Sequence, residues 1–254
     1  MHKRMSPHGD FDHMGEAINL VNNFNVEKVI FNCGPYNDLE KELIKVLNKK
    51  KIKYYTCIKE LNIDNDKLYF LHTKEYDNEN DNSNVIYTEL NGYKFMFMGD
   101  ASTTTEKEIL DKYYLPDIDV LKVGHHGSRS SSGKEFIYEI NPKYSIISVG
   151  KNNRYGHPNK EVLENLDNSK IYRTDQDGSI MFKIKNNKLI METCTLYCFL
   201  KLVLLVSIFL VSFASWFFLV YKILQILIIF PYFCPCLANF YAKISLIFIL
   251  KIFI

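Results

Sequence analysis

Cysteine is scarce in the polar part of this sequence. Of the six cysteines, only Cys33 and Cys57 precede residue 192, and no Cys-x-x-Cys pair recurs at the spacing of a zinc site. This scarcity excludes a cysteine-rich zinc module. Two isolated cysteines also do not predict a disulfide framework, and they leave the redox compartment undetermined.

An excess of charge of one sign is also lacking. The 254 residues carry a formal net charge of +2, so no strong global field argues for or against a nucleic-acid partner. The chain opens on Met1-His2-Lys3-Arg4 without the apolar run of a secretory signal, and none is expected. The lysines between Lys45 and Lys53 are interpreted as a solvated helix end rather than a DNA-binding patch.

Acidic residues disappear altogether after Glu192, where Leu, Ile, Phe and Val dominate. One nearly continuous apolar stretch covers residues 196–220, and a second covers residues 223–254. Because about 20 apolar residues cross a bilayer, the tail predicts one or two transmembrane helices. The alternative is that the tail is translated noncoding or frameshifted sequence. We expect a domain over residues 1–192 and a hydrophobic tail over residues 193–254.

Strand patterns alternate with helix patterns between these limits. Apolar runs predict strands over residues 26–31, 52–58, 67–71, 120–123, 144–149, 170–173 and 179–184. Helical spacing predicts helices over residues 16–25, 39–47, 104–113, 132–140 and 160–166. Asn91-Gly92 predicts a hairpin turn between strands 85–89 and 93–98. This order favours a mixed α/β layered domain over a helix bundle.

Four candidate metal ligands fall within six residues near the start of the chain: His8, Asp10, Asp12 and His13. Imidazole and carboxylate together suit zinc, manganese or iron(II). Neither a regular helix nor a regular strand turns all four to one side. They converge only in a loop that leads into a helix, and the helical spacing after Gly15 fits that. We therefore interpret the stretch as a metal-binding loop, the alternative being a solvated turn.

Three further polar clusters each follow a predicted strand. Asp100 follows one strand, the pair His125-His126 follows the next, and His157 lies in the polar loop after a third. Layered α/β folds place their sites where strands end. Two adjacent imidazoles at a strand end are rarely there for packing. Gly99-Asp100 alone could merely cap a turn, and His157 alone could be a surface histidine.

The four motifs together resemble the metallo-β-lactamase fold: His8-x-Asp10-x-Asp12-His13, Gly99-Asp100, His125-His126-Gly127-Ser128 and Gly156-His157-Pro158. More narrowly, they are similar to the hydrolase domain of ComEC-type competence proteins, over roughly residues 5–190. The resemblance implies an αββα sandwich. Members of this family begin with strands ahead of the His-x-Asp loop, so it also implies a domain that is incomplete at its N-terminus.

The resemblance implies two divalent metal ions, zinc or manganese. It implies these ligands: His8 and Asp10 for one ion, Asp12 and His13 for the other, Asp100 as a bridge, and either His125 or His126 to complete the second site. The family's additional histidine upstream of the Gly-Asp motif has no counterpart here, where Asn82-Ser83 stands instead.

The activity implied is phosphodiester hydrolysis, with DNA as the substrate during its uptake in competence. Asp12 and His157 are the expected catalytic residues, with His157 protonating the leaving oxygen or binding the phosphate. Ser128, Asn153 and Arg154 are the expected substrate-binding residues, together with Ser130 and Arg129 beside them.

Two other functions stay open. One is a catalytically impaired, membrane-tethered binding module. The other is a different esterase or lactonase of the same fold, because that superfamily is chemically diverse. The tail would make the protein membrane-associated, whereas a protein without it would be soluble on an undetermined side of the membrane. No protein partner is predicted.

Overall fold

The computed structural model describes residues 11–71 and 74–194. The predicted ligands His8 and Asp10 and the predicted transmembrane tail lie outside these residues. Within them, no helix has both the length and the apolar character needed to span a bilayer. One compact unit ends at Arg173 and a second begins at Thr174, and each is described by itself.

The first unit begins with three helices and a small two-stranded sheet. These elements are α1 (Phe11–Met14), α2 (Ala17–Asn23), β1 (Lys28–Phe31), α3 (Asp38–Lys50) and β2 (Lys53–Thr56). The start of α3 is fixed by a capping box, in which the side chains of Asn37 and Glu40 each accept a hydrogen bond from the other's backbone N–H. The strands β1 and β2 pair in parallel.

Side chains of β1 alternate between two cores, as the two-residue period of a strand requires. Val29 and Phe31 pack with Leu43 of α3 and Val21 of α2. Ile30 points the other way and packs with residues of a second, larger sheet. The strand β1 thus joins a helical layer on one side to a sheet on the other.

Cys33 and Cys57 form a disulfide bond, a pairing that the sequence did not predict. The reason is the parallel register of β1 and β2, which sets Phe31 opposite Thr56 and brings together the residues that follow them. The backbone N–H of Cys57 also donates to Phe31 O at 3.3 Å. Two cysteines 24 residues apart carry no sign of this proximity in their spacing.

Removal of this crosslink is expected to lower the free energy of unfolding by about 2–4 kcal/mol, because the bond closes a loop in the unfolded chain. The measurement is urea unfolding of the Cys33→Ser/Cys57→Ser variant against the native protein. Dithiothreitol should lower the native midpoint to that of the variant and leave the variant unchanged. Equal midpoints for the oxidised native protein and the variant would contradict the expectation.

The larger sheet has seven strands in sequence order. They are β3 (Glu60–Ile63), β4 (Asp66–Phe70), β5 (Ile86–Leu90), β6 (Tyr93–Phe97), β7 (Val120–Lys122), β8 (Tyr144–Ile147) and β9 (Lys170–Arg173). The strands from β3 to β6 are antiparallel, and those from β6 to β9 are parallel. The hairpin at Asn91-Gly92 is confirmed, with both residues at positive φ.

Three crossover helices connect the parallel strands: α4 (Thr103–Lys112), α5 (Lys134–Ile140) and α6 (Lys160–Asn165). Their apolar side chains bury one face of the sheet, where Met96 and Leu121 are fully buried. The opposite face contributes Leu68, Phe70 and Ile86 to the core that contains Ile30 of β1. The layers therefore run helix, sheet, sheet, helix, which agrees with the predicted α/β sandwich.

The second unit holds a short helix and a hairpin among the described residues. These are α7 (Thr174–Asp177), β10 (Ser179–Lys185) and β11 (Lys188–Cys194). The two strands pair antiparallel, and Asn186 and Asn187 turn the chain with positive φ. The predicted strand 179–184 is thus one arm of this hairpin.

Candidate metal centre

The carboxyl ends of three parallel strands bring the polar clusters together. Phe97 of β6 pairs with Lys122 of β7, which pairs with Ile146 of β8. Asp100 and His125 each follow their strand by three residues, and the loop with His157 follows the third strand. The chemistry-bearing loops therefore emerge side by side, as the sequence led us to expect.

A carboxylate and two imidazoles form the centre of the site. Nε2 of His13 lies 3.2 Å from Oδ2 of Asp100, and the ligand atoms of His13, Asp100 and His126 all lie within 4.8 Å of one another. Nε2 of His125 lies 4.0 Å from the same carboxylate oxygen. Two nitrogens and one oxygen at this separation form a donor set suited to zinc or manganese.

Asp100 is held in place by a tight turn. Its backbone N–H donates to Oγ of Ser83 at 2.9 Å. Gly99 adopts φ +56°, and a Cβ at this position would come within 2.8 Å of Cβ of Ser83. Glycine is therefore needed both for the backbone conformation and for the close approach. The Asn82-Ser83 segment thus supports the backbone of Asp100.

The carboxyl group of Asp100 stays ionised in this environment. Its burial would raise the pKa, but the hydrogen bond to His13 and the imidazoles of His13, His126 and His125 outweigh that effect. The pKa of Asp100 is therefore held well below its usual range. A buried carboxylate that keeps its charge is what a cation site requires.

The two adjacent histidines sit in an uncommon backbone conformation. The segment Gly124–Gly127 forms a short turn in which His125 and His126 have φ values of 45° and 53°. Left-handed conformations are uncommon for residues other than glycine and cluster at functional sites. The turn lets both rings reach the region of Asp100.

Each ring is oriented by a hydrogen bond through Nδ1. Nδ1 of His126 donates to Ser148 O at 2.7 Å, which leaves Nε2 as the ring nitrogen available to a metal. Nδ1 of His125 lies 3.1 Å from Oγ of Ser130. A second hydrogen bond that fixes tautomer and orientation is typical of histidines that bind metal. The residues present therefore fit a divalent ion.

Helix α4 anchors the serine-rich loop that follows the two histidines. The backbone N–H of Thr103 donates to Ser130 O at 2.8 Å. The carboxylate of Glu106 accepts the backbone N–H groups of Ser132 at 2.5 Å and Gly133 at 2.8 Å. Burial raises the pKa of Glu106 to about 7, although the hydrogen bonds from the two backbone N–H groups lower it.

The titration of Glu106 predicts a pH-dependent stability. Between its ordinary pKa of 4.5 and the raised value of about 7, the folded chain holds a proton that the unfolded chain releases. The stabilisation is fully present below the lower value and is lost as the pH rises through the upper one. We expect Glu106 to make the free energy of unfolding fall by about 2 kcal/mol from pH 5 to pH 8.

Urea unfolding at both pH values, on the native protein and Glu106→Gln, measures this contribution. The native protein should lose more stability across the interval than the variant, because other titrating groups contribute equally to both. A variant with the same pH dependence as the native protein would refute the assignment to Glu106.

His157 is held by two asparagines. Its backbone N–H donates to Oδ1 of Asn153 at 2.8 Å, and Nδ2 of Asn153 donates back to His157 O at 2.7 Å. Nδ2 of Asn159 lies 3.2 Å from the ring Nδ1, and donation there leaves the ring proton on Nε2. Burial and the imidazoles of His125 and His126 lower the pKa of His157. The geometry therefore favours a neutral ring with an Nε2–H donor.

The loop that contains His157 packs closely against the loop that contains the paired histidines. Gly127 adopts φ +80°, and a Cβ there would come within 2.6 Å of Cβ of Pro158. The backbone N–H of Asn159 also donates to Gly127 O at 2.8 Å. The ring centroids of His125 and His157 lie 5.9 Å apart.

The other predicted residues have different surroundings. Asp12 lies in α1 directly before His13. Ser128 is buried, with its Oγ 3.0 Å from Oγ of Ser130. Arg154 is exposed. The side-chain amide of Asn153 is used within its own loop, so the structure gives this residue a positioning role beyond the predicted contact with substrate.

Sequence reasoning missed Glu106 and Asn159. Glu106 looks like any acidic residue in the first turn of a helix, and its contacts to residues 132 and 133 depend on tertiary packing. Asn159 directly precedes α6 and has the sequence signature of a helix cap. Its position two residues after His157 was the sign in the sequence that Asn159 could contact the His157 ring.

Comparisons with known proteins add to this geometry. A family model described as the metallo-beta-lactamase superfamily matches residues 8–151. The chain is 34% identical to ComE operon protein 3 of Bacillus subtilis (strain 168) over 186 residues, which are 70% of this chain and 24% of that protein.

Two further relatives are each 34% identical to the chain over shorter stretches. Competence protein ComA of Neisseria gonorrhoeae matches over 121 residues, 44% of this chain and 17% of that protein. Recombination protein 2 of Haemophilus influenzae (strain ATCC 51907 / DSM 11121 / KW20 / Rd) matches over 88 residues, 35% of this chain and 11% of that protein. The matched regions span about a quarter or less of these curated relatives.

Proposed function

The chain belongs to the metallo-β-lactamase superfamily, and from this premise we propose that it is a metal-dependent hydrolase that cleaves phosphodiester bonds of DNA during DNA uptake. The observation that carries the proposal is the buried, ionised Asp100 among imidazoles at the ends of parallel strands. The names of two relatives, a competence protein and a recombination protein, support DNA as the substrate.

His13, Asp100 and His126 would hold a divalent ion, zinc or manganese, through Nε2, a carboxylate oxygen and Nε2. We propose that Asp12 and His125 complete this centre and that His8 and Asp10 serve a second ion. When bound, such an ion lowers the pKa of a coordinated water and neutralises charge on the phosphoryl group. Asp100 supplies the negative charge that makes the pocket attractive to a cation.

His157 is proposed as a hydrogen-bond donor to a phosphoryl oxygen. With Nδ1 accepting from Asn159, the proton on Nε2 faces away from that amide. A neutral imidazole is a poor acid for a leaving alkoxide, so of the two roles expected from the sequence the binding role fits better. Donors that strengthen as charge develops on oxygen contribute strongly to catalysis. Arg154, which is exposed, is proposed to attract the polyanionic substrate.

Incubation of the purified 254-residue chain with end-labelled single-stranded DNA and Mn²⁺ or Zn²⁺ tests the proposal directly. Cleavage that requires the metal and stops with EDTA is the expected result. Tight metal binding without turnover of any ester would indicate a catalytically impaired binding module instead. Turnover of a small carboxylic ester or lactone, but not of DNA, would indicate a different hydrolase of the same superfamily.

The division into a hydrolase domain over residues 1–192 and a membrane-associated tail over residues 193–254 is also a proposal, and it rests on the sequence. Expression of the full chain and of a chain ending at Glu192, followed by membrane pelleting, tests it. The full chain should pellet with membranes and the shortened chain should stay in the supernatant. Equal distribution of the two would argue against a membrane tail.

A further inference from the structure

Tyr155 places an exposed aromatic ring beside the candidate metal centre. The residue is 78% exposed, so it contributes little to the packing of the domain. Its ring lies nearly parallel to that of His157, with an interplanar angle of 20° and centroids 5.8 Å apart. One face of Tyr155 is therefore directed toward His157, and most of the residue is open to solvent.

The charge around this ring suits a polyanion. The loop over residues 150–159 contains Lys151 and Arg154 and no acidic residue. Arg129, on the neighbouring loop after the paired histidines, is exposed as well. A flat aromatic surface flanked by cations is the combination that binds single-stranded nucleic acid, in which bases stack on the ring and phosphates meet the charges.

The loop also holds Tyr155 in a defined place. The reciprocal hydrogen bonds between the side chain of Asn153 and the backbone of His157 close the segment on both sides of Tyr155. Gly156, at φ +70°, allows the turn between the tyrosine and the histidine. A loop whose backbone is fixed before the ligand arrives loses less freedom on binding.

We propose that Tyr155 is a stacking platform for an unpaired nucleobase of the substrate strand, beside His157. This inference rests on the proposed function and adds a binding residue to the same site. A paired base is stacked on its neighbours and has no free face to offer the ring. The ring of His157 lies 5.8 Å from that of Tyr155 and 5.9 Å from that of His125, so a base stacked on Tyr155 belongs to a nucleotide near the candidate metal centre.

Fluorescence anisotropy with a labelled 12-nucleotide single strand, together with cleavage assays in Mn²⁺, tests this on the full chain. Tyr155→Ala should weaken binding and raise KM by about 5- to 100-fold, as loss of one stacked base does. Tyr155→Phe should restore both values, because the ring and not the hydroxyl stacks. The difference between native protein and Tyr155→Ala should vanish on an oligonucleotide of abasic sites.

Tyr114→Ala is the matched control, since Tyr114 is fully exposed and lies between α4 and β7, at the end of the strands away from the site. It should bind and cleave like the native protein. If native protein cleaves the single strand and Tyr155→Ala matches it, the stacking inference fails while the proposed function stands. An equal loss on the abasic strand would also overturn it. If native protein neither binds nor cleaves DNA, the proposed function fails and the inference with it.

Discussion

Replacing Asp100 by asparagine is expected to lower kcat for metal-dependent phosphodiester cleavage by at least about 1000-fold. Asparagine keeps the shape of the side chain but removes the charge that the imidazoles of His13, His126 and His125 surround. Because the Asp100 side chain is 4% exposed, solvent has little access with which to replace the lost carboxylate ligand. The measurement is kcat on labelled single-stranded DNA at saturating Mn²⁺.

Calorimetric titration with Mn²⁺ should show that Asp100→Asn also binds the ion more weakly, which separates loss of the metal from loss of the substrate. Asp111→Asn, which changes an exposed carboxylate on α4, is the control and should retain full activity. Circular dichroism would establish that both variants fold. An Asp100→Asn protein that is folded and still cleaves at more than a tenth of the native rate would refute the proposed metal centre.

The second large effect is expected at His157. Replacing it by alanine should lower kcat by about 100- to 1000-fold, because one preorganised donor to the phosphoryl group is lost. The loss should be similar for DNA and for a p-nitrophenyl phosphodiester, since the donor contacts an oxygen that both substrates share. A residue that protonates the leaving oxygen would matter for DNA alone, because p-nitrophenolate departs without a proton.

Comparison of the two substrates therefore distinguishes the two roles of His157. His157→Gln places an amide N–H near the lost donor and should recover part of the activity on both substrates. Lys134→Ala, at the exposed start of α5, is the control and should leave the activity on both substrates unchanged. A loss confined to DNA would mean that His157 acts as a general acid. The assignment of a neutral ring, which rests on the contact with Asn159, would then be wrong.

The elements that carry the site were predictable because their strands are parallel and buried. Runs such as Val120 to Val123 and Tyr144 to Val149 are almost wholly apolar, which the sequence shows directly. Strand β3 was missed, since Glu60–Ile63 alternates between exposed and half-buried residues and has no strong turn residue ahead of it. The order of the motifs then identified the fold, which the family match confirms.

Contacts that depend on register or on packing between distant segments could not be predicted. The Cys33–Cys57 bond follows from the alignment of β1 with β2 and not from the spacing of the cysteines. The hydrogen bonds that Glu106 accepts from the loop before α5 depend on the position of α4. The arrangement of His126, whose Nε2 faces the cluster because its Nδ1 donates to Ser148 O, is likewise set by the fold.

The contact between Gly127 and Pro158 has a mechanical consequence. A glycine pressed so closely against a proline that no methyl group fits leaves the two loops no room to slide past each other. The hydrogen bond from Asn159 to Gly127 O ties them a second time. We therefore expect any movement of one loop to carry the other with it, which would keep the rings of His125 and His157 at a similar separation.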